Sequence, residues 1–216
     1  MQRGIMISLS CIAEYVTVAK DIALTIAGCI GAYVAVKGLN TWNRQLKGGV
    51  EYELTRRLLR QIYRLREAIK GVRNPVMWPN EMPSPAPEEA KNMSREQIRF
   101  YGMSNAYQKR WDKVTEVRAD LQTELLEAEA LWGPAIHERF EQMFKLQHEL
   151  WVAVHFYVTA CNPDSHEGMR ETMNKAMQKN RDILYEISGE TEDAFSNDIA
   201  MAVSSIESFL KPYLRK

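Results

Sequence analysis

An uncharged apolar stretch near the N-terminus constrains the fold more than any other feature. It runs from residue 22 to residue 36, reads IALTIAGCIGAYVAV and lies between Asp21 and Lys37. A bilayer span needs about twenty residues, so the stretch must be extended to cross a membrane. Extension toward the N-terminus brings Asp21 and Lys20 into the hydrocarbon, whereas extension to Trp42 adds only Lys37, whose ammonium group can reach the interface. The sequence therefore predicts a transmembrane helix from residue 22 to about 42, within a membrane segment and flank of residues 21–47.

A short apolar run is also compatible with a buried helix of a soluble protein. The six aliphatic side chains of this stretch favour insertion by only about 2–3 kcal/mol, and two glycines, a threonine and Lys37 reduce that sum. Both interpretations follow from the sequence. We favour the membrane span and keep the soluble helix as the alternative.

The charges on either side of the stretch predict its orientation. Residues 1–20 have apolar side chains at helical spacing, which predicts an amphipathic segment, and contain only Arg3 and Lys20 as cations. Many more cations follow the stretch, namely Lys37, Arg44, Lys47, Arg56, Arg57 and Arg60. The positive-inside rule then predicts an external N-terminus and a cytoplasmic C-terminal domain. Three cysteines without a disulfide pattern fit a reducing compartment.

Small residues recur along the predicted span. Ala23, Ala27, Gly31 and Ala35 are four residues apart, and Gly28 lies beside them. Small side chains at this spacing let two helix backbones approach closely in a membrane. We therefore expect these five residues to form a face for self-association or for pairing with another membrane helix.

A basic amphipathic helix is predicted for residues 50–73, after Gly48 and Gly49, which we expect to break or hinge the chain. Its apolar stripe comprises Val50, Leu54, Leu58, Ile62, Leu65, Ile69 and Val72. Contact with anionic lipid headgroups or with a protein partner is predicted for Lys37, Arg44, Lys47, Arg57, Arg60 and Arg64. A core-packed helix with a solvated basic face is the alternative.

Charge is distributed unevenly along the chain. Residues 37–73 contain ten Lys or Arg against three Glu, whereas the net charge of residues 74–216 is −7. No base-reading or base-stacking motif accompanies the arginines. Because the rest of the chain is acidic, nucleic-acid binding is disfavoured.

The C-terminal part of the chain is predicted to be helical throughout. Five of the eight prolines lie in residues 74–87, so residues 74–93 form a Pro-rich linker, in which Met77, Trp78 and Met82 are able to dock on a helix. Residues 94–216 are expected to form a helical bundle domain. Its predicted helices are Ser94 to Trp132, Pro134 to about Ala160, a third ending near Gly189 and a last one capped by Thr191. The fold class is therefore all-α, with the first two of these helices antiparallel.

No catalytic motif is recognisable in the sequence. It has no glycine-rich phosphate loop, HExxH helix or serine nucleophile elbow. His148 and His155 share a helix face with Glu141, but they lack the further ligands that a metal centre needs. We predict no enzymatic activity, no cofactor and no metal site.

A stretch at residues 51–75 resembles a signature of uncharacterised bacterial proteins that also begin with a short membrane segment. The resemblance is carried by Glu51-Tyr52-Glu53-Leu54, Arg56-Arg57-Leu58-Leu59, Leu65-Arg66-Glu67-Ala68-Ile69 and Val72-Arg73-Asn74-Pro75. It implies a bacterial origin, hence the inner membrane, and brings no activity with it.

Together these features predict a single-pass membrane-anchored protein whose cytoplasmic helical bundle binds a protein partner or a second copy. One alternative is a membrane sensor or effector subunit of a bacterial stress or phage-defence system. The other is a soluble helical enzyme or nucleic-acid-binding protein.

Overall fold

A computed structural model describes residues 2–179, 181, 183–186 and 193–214, with side chains from Val16 onward except that of Ala19. Within these ranges the chain is entirely helical apart from its connections, and no strand is present. The all-α prediction is therefore confirmed. The helices are α1 Gln2–Arg73, α2 Pro87–Ala90, α3 Arg95–Trp132, α4 Ile136–Cys161, α5 Glu167–Lys179 and α6 Ala194–Leu210, followed by a 3-10 turn at Lys211–Leu214.

Contacts divide the chain into two units, Met1–Val50 and Glu51–Lys216. The described part of unit 1 belongs to α1, and its apolar side chains are exposed from Val16 to Leu46. Among the helices that the structure describes, α1 is the one long and apolar enough to cross a membrane. The coarse prediction of one possible membrane-spanning helix is thereby confirmed by length and composition.

The expected break at Gly48 and Gly49 is wrong, because both glycines lie within α1. Glycine adopts helical torsion angles at a cost of about 1 kcal/mol relative to alanine. The residues on both sides are helix-compatible, so two such costs do not end the helix.

Unit 2 has one hydrophobic core, built from the second part of α1 together with α3, α4 and α6. From the predicted stripe of α1, Leu54, Leu58, Ile62 and Leu65 are fully buried and Ile69 and Val72 nearly so. Val50, at the end of unit 1, is exposed. The interpretation of residues 51–73 as a core-packed helix therefore describes how the apolar stripe folds. The basic face is only partly solvated, because Arg57 and Arg64 pair with carboxylates of α3.

Local signals account for the limits of α3. Ser94 caps its first turn by accepting a hydrogen bond from the backbone of Gln97, whose side chain accepts one from the backbone of Ser94 in return. The helix ends at Gly133, where φ is +84°. Glycine suits this position because side-chain-bearing residues rarely adopt such a torsion angle.

The third predicted helix is shorter than expected. It ends at Lys179 rather than near Gly189, and Ile183 and Leu184 are buried in a non-helical segment. The carbonyl oxygens of Ile183 and Tyr185 accept hydrogen bonds from Arg73, and the backbone N–H of Glu186 donates to the carbonyl of Arg73. These bonds replace the helical ones. The last helix is capped by Asp193, not by Thr191, which lies outside the described residues.

The Pro-rich segment is non-helical except for the short α2. Met77 is half-buried against the core of unit 2, and Met82 lies next to Gly102 of α3. Trp78, between them, is 62% exposed. The segment therefore packs along α3 with its indole turned outward.

Candidate binding groove

Unit 2 contains a concave groove of about 1140 Å³ between α1 and α3, closed at one end by residues 74–81. We call it the α1–α3 groove. Its charged lining consists of six cations, Arg56, Arg57, Arg60, Arg64, Arg110 and Lys113, and four carboxylates, Glu53, Glu67, Glu81 and Glu116. Charged side chains are accordingly present on both walls.

Ion pairs join the two long walls of the groove. The Nε atom of Arg57 lies 2.7 Å from Glu124 of α3, and the same guanidinium also contacts Glu127. These hydrogen bonds raise the pKa of Arg57. Further along, Arg64 donates to Asp120 at 2.9 Å. The α1 face is thus held against α3 through its arginines.

Arg110 builds the closed end. Its side chain is 5% exposed and donates to the carbonyl oxygens of Asn74 and Val76, both at 2.6 Å, and to Glu81 at 2.8 Å. The hydrogen bond from Arg110 lowers the pKa of Glu81, although partial burial acts in the opposite direction. A buried cation thereby fixes the backbone that carries Trp78.

Cations exceed carboxylates within the lining. Each lining carboxylate has a cation within 4 Å, in the pairs Glu53 with Arg56, Glu67 with Arg66, Glu81 with Arg110 and Glu116 with Arg64. Arg60 and Lys113 are exposed and have no carboxylate within that distance among the residues that the structure describes. Lys113 is nevertheless near enough to Glu81 to help lower its pKa. The groove therefore has two cationic side chains, Arg60 and Lys113, that form no ion pair with its own carboxylates.

The groove also has an apolar and aromatic component. Leu59 and Val117 form part of its floor and are nearly buried. Tyr63 donates a hydrogen bond from its hydroxyl to Glu207 at 2.8 Å, and burial together with this carboxylate raises its pKa. Trp78 supplies an exposed indole at the closed end. Such a lining suits a ligand with both apolar and anionic groups.

Of the basic residues singled out in the sequence, the groove brings together Arg57, Arg60 and Arg64. The other three, Lys37, Arg44 and Lys47, are exposed in unit 1. The Nζ atom of Lys37 lies 5.8 Å from the ring centroid of Tyr33.

The predicted association face is exposed along unit 1. Ala23, Ala27, Gly28, Gly31 and Ala35 all lie on the surface of α1. A Cβ atom added at Gly28 or Gly31 would meet nothing within 4 Å. This face is therefore open to another helix.

Sequence reasoning missed two buried arginines. Arg110 lies on the apolar stripe of α3, between Tyr107 and Val114 at helical spacing. Its position on the buried face of the helix could have been recognised from this spacing. Arg73 is 1% exposed and donates to the carbonyls of Ile183 and Tyr185, to Ser196 and to Asp193. It directly follows Val72 of the α1 stripe, but nothing local indicates its distant partners.

The two histidines noted in the sequence flank an exposed tryptophan. His148 and His155 stack on opposite sides of Trp151, with ring centroids 5.9 and 5.3 Å away. Within the described ranges, no group of three or more potential metal ligands is present. The stack is therefore an aromatic surface feature of α4.

Comparisons with protein-family models, with curated proteins and with solved structures found no match. The resemblance of residues 51–75 to a bacterial signature stays a prediction.

Proposed function

We propose that this protein is a single-pass membrane-anchored helical protein of the bacterial inner membrane that binds a protein partner or a second copy at the cytoplasmic face. One observation carries the proposal. Large apolar side chains of unit 1 are more than half exposed, among them Leu24 at 62%, Ile30 at 60% and Trp42 at 61%. By contrast, the apolar stripe of α1 in unit 2 is buried.

Exposed apolar side chains at this density favour contact with lipid or with another helix over contact with water. Removing a large aliphatic side chain from water contributes about 1.5–3 kcal/mol, and unit 1 has several of them exposed. Residues 22–42, at about 1.5 Å per residue, extend for about 30 Å, the thickness of the hydrocarbon core. Lipid covers the whole circumference of a helix of that length. A second helix along the face containing Gly28 and Gly31 covers part of it.

The second part of the proposal is that unit 2 is a bundle of long antiparallel helices. Arg57 contacts Glu124, whereas the later Arg64 contacts the earlier Asp120, so chain order is reversed between α1 and α3. Contacts between α3 and α4 are also reversed, in the pairs Arg118 with Gln147 and Glu129 with His137. These pairs support the antiparallel arrangement.

Membrane fractionation with an alkaline carbonate wash tests the anchor. We expect the wild-type chain to stay in the pellet and the double variant Ile26→Lys/Ile30→Lys to be released. Each charge near the centre costs about 2.5–3.5 kcal/mol, which exceeds the favourable insertion sum. Met201→Lys is the matched control, because Met201 is a 64% exposed apolar residue of α6. Wild-type protein in the carbonate supernatant contradicts the anchor.

Cysteine labelling tests the orientation. Cys161, at the end of α4, is exposed in the fold and is therefore open to reagents on its own side of the membrane. We expect an impermeant maleimide to miss Cys161 in intact cells and to label it after lysis. Labelling in intact cells contradicts the cytoplasmic placement of unit 2.

A further inference from the structure

We infer that the α1–α3 groove binds an acidic amphipathic helix of a protein partner, whose carboxylates pair with Arg60 and Lys113. The inference rests on the proposed function, since it names the chemistry of the partner. Three observations support it: Arg60 and Lys113 form no ion pair with a groove carboxylate, the floor of the groove is apolar, and the indole of Trp78 is exposed.

The dimensions of the groove favour a helix over a small molecule. Its volume of about 1140 Å³ exceeds the roughly 300–1000 Å³ of ordinary small-molecule pockets. The α1 wall extends from Glu53 to Gly71, which at about 1.5 Å per residue is about 27 Å. A helix of about eighteen residues has this length. Helices bind such grooves with apolar side chains at positions i, i+3, i+4 and i+7.

The charges select an acidic partner. A helix with carboxylates beside its apolar face pairs with Arg60 on one wall and with Lys113 on the other. A continuous phosphate backbone, with a charge on every nucleotide, cannot avoid Glu53, Glu67 and Glu116 along the walls, whereas a helix can place its few carboxylates opposite Arg60 and Lys113 alone. A flat anionic bilayer surface likewise does not match a concave groove.

The closed end is preorganised for binding. Arg110 holds the backbone at Asn74 and Val76 and the carboxylate of Glu81, so Trp78 is presented from a fixed segment. Fixed aromatic side chains beside arginines are typical energetic centres of protein interfaces. Less conformational entropy is lost on binding when the segment is already ordered.

The test uses the full-length chain in neutral-lipid nanodiscs and a fluorescent eighteen-residue probe peptide with leucines at helical spacing flanked by glutamates. A second peptide has lysine at every glutamate position, and a third has the first composition in scrambled order. Fluorescence anisotropy measures binding. We expect the acidic amphipathic peptide to bind at least about tenfold more tightly than either control. Equal affinity for the lysine peptide overturns the inference.

Groove variants locate the binding. Arg60→Glu/Lys113→Glu is expected to weaken the probe at least about tenfold, whereas Arg60→Lys retains binding because the charge is kept. Arg99→Glu is the matched control, since Arg99 is an exposed cation of α3 outside the groove. Both reversed residues are exposed, so thermal unfolding of the double variant should match the wild type. Undiminished probe binding to Arg60→Glu/Lys113→Glu contradicts the inference.

A measurement in anionic lipid distinguishes peptide carboxylates from lipid headgroups as the source of negative charge. In nanodiscs containing phosphatidylglycerol, the probe is expected to bind as it does in neutral lipid. If the probe no longer binds there, and if binding of the protein to phosphatidylglycerol vesicles requires Arg60 and Lys113, these cations contact lipid. That result overturns the inference. Carbonate extraction of the same variants reports on the membrane anchor independently, so failure of the groove and failure of the anchor are distinguishable.

Discussion

Replacement of Arg73 by methionine removes a buried guanidinium that joins three parts of unit 2. The side chain is 2% exposed and contacts Asp193 at 2.8 Å, Ser196 at 2.7 Å and the carbonyl of Ile183 at 2.7 Å. Methionine preserves most of the volume but donates no hydrogen bond. The variant therefore leaves the carboxylate of Asp193, whose side chain is 12% exposed, without its cation.

The magnitude follows from the burial of both groups. Removal of one partner from a buried ion pair costs about 3–5 kcal/mol, because the remaining charge is desolvated and unpaired. For a chain of 150–250 residues, each kcal/mol shifts the melting temperature by about 2–4 °C. We therefore expect Arg73→Met to lower the melting temperature by roughly 6–20 °C.

Thermal unfolding of the full-length chain in detergent, followed by tryptophan fluorescence, measures this shift, because four of the five tryptophans lie in unit 2. Arg99→Met is the control, since an exposed substitution changes stability by about 0.5 kcal/mol or less. The double variant Arg73→Met/Asp193→Asn should lose less than the sum of the two single variants, because it removes the unpaired charge. A shift as small as that of Arg99→Met, or strictly additive losses, refutes the reasoning.

Three other predictions concern unit 2. Burial acts to raise the pKa of Asp193, but hydrogen bonds from Ser196 and Arg73 outweigh this effect and leave the pKa lowered. The folding stability that the ionised Asp193 contributes is complete above the unfolded pKa of about 3.9 and is lost as pH falls through the folded pKa. The melting temperature should therefore fall below about pH 4, and less steeply in Arg73→Met. Gly133→Ala should lower the free energy of unfolding by about 1–2 kcal/mol in denaturant titration, because φ at Gly133 is +84°. Gly71→Ala is the control and should not lower it, because Gly71 is helical and a Cβ atom there meets no neighbour. Arg110→Met should accelerate proteolysis within residues 74–81, and an unchanged cleavage rate would count against its role as their anchor.

Regular patterns made much of the fold predictable. The apolar stripe from Leu54 to Val72 and the helical pattern from Ser94 to Trp132 are local signals, and both correspond to observed features of α1 and α3. The uncharged stretch near the N-terminus likewise predicted a helix of membrane-spanning length. Such signals are readable because each depends on residues only a few positions apart.

The missed features depend on contacts between distant residues. The third helix was predicted to end near Gly189, yet the backbone at Ile183 bonds to Arg73, 110 residues earlier. The candidate groove is a similar case. Arg57, Arg60 and Arg64 were recognisable as one basic face, whereas Lys113 and the segment held by Arg110 join them only through packing. Periodicity within one element contains no information about its neighbours.

The contacts of Arg73 have a consequence for the order of biosynthesis. The chain is made from its N-terminus, so α1 is complete long before Asp193, which lies 120 residues after Arg73, is synthesised. Until then the guanidinium lacks its carboxylate partner and Ser196, and before Ile183 is made it has none of its later partners; closing so long a loop is slow. A nascent chain shorter than about 193 residues thus already contains the apolar N-terminal stretch while the core of unit 2 is incomplete. Under the proposed function, membrane insertion of unit 1 therefore precedes folding of unit 2 by the time needed to synthesise the residues between Arg73 and Asp193.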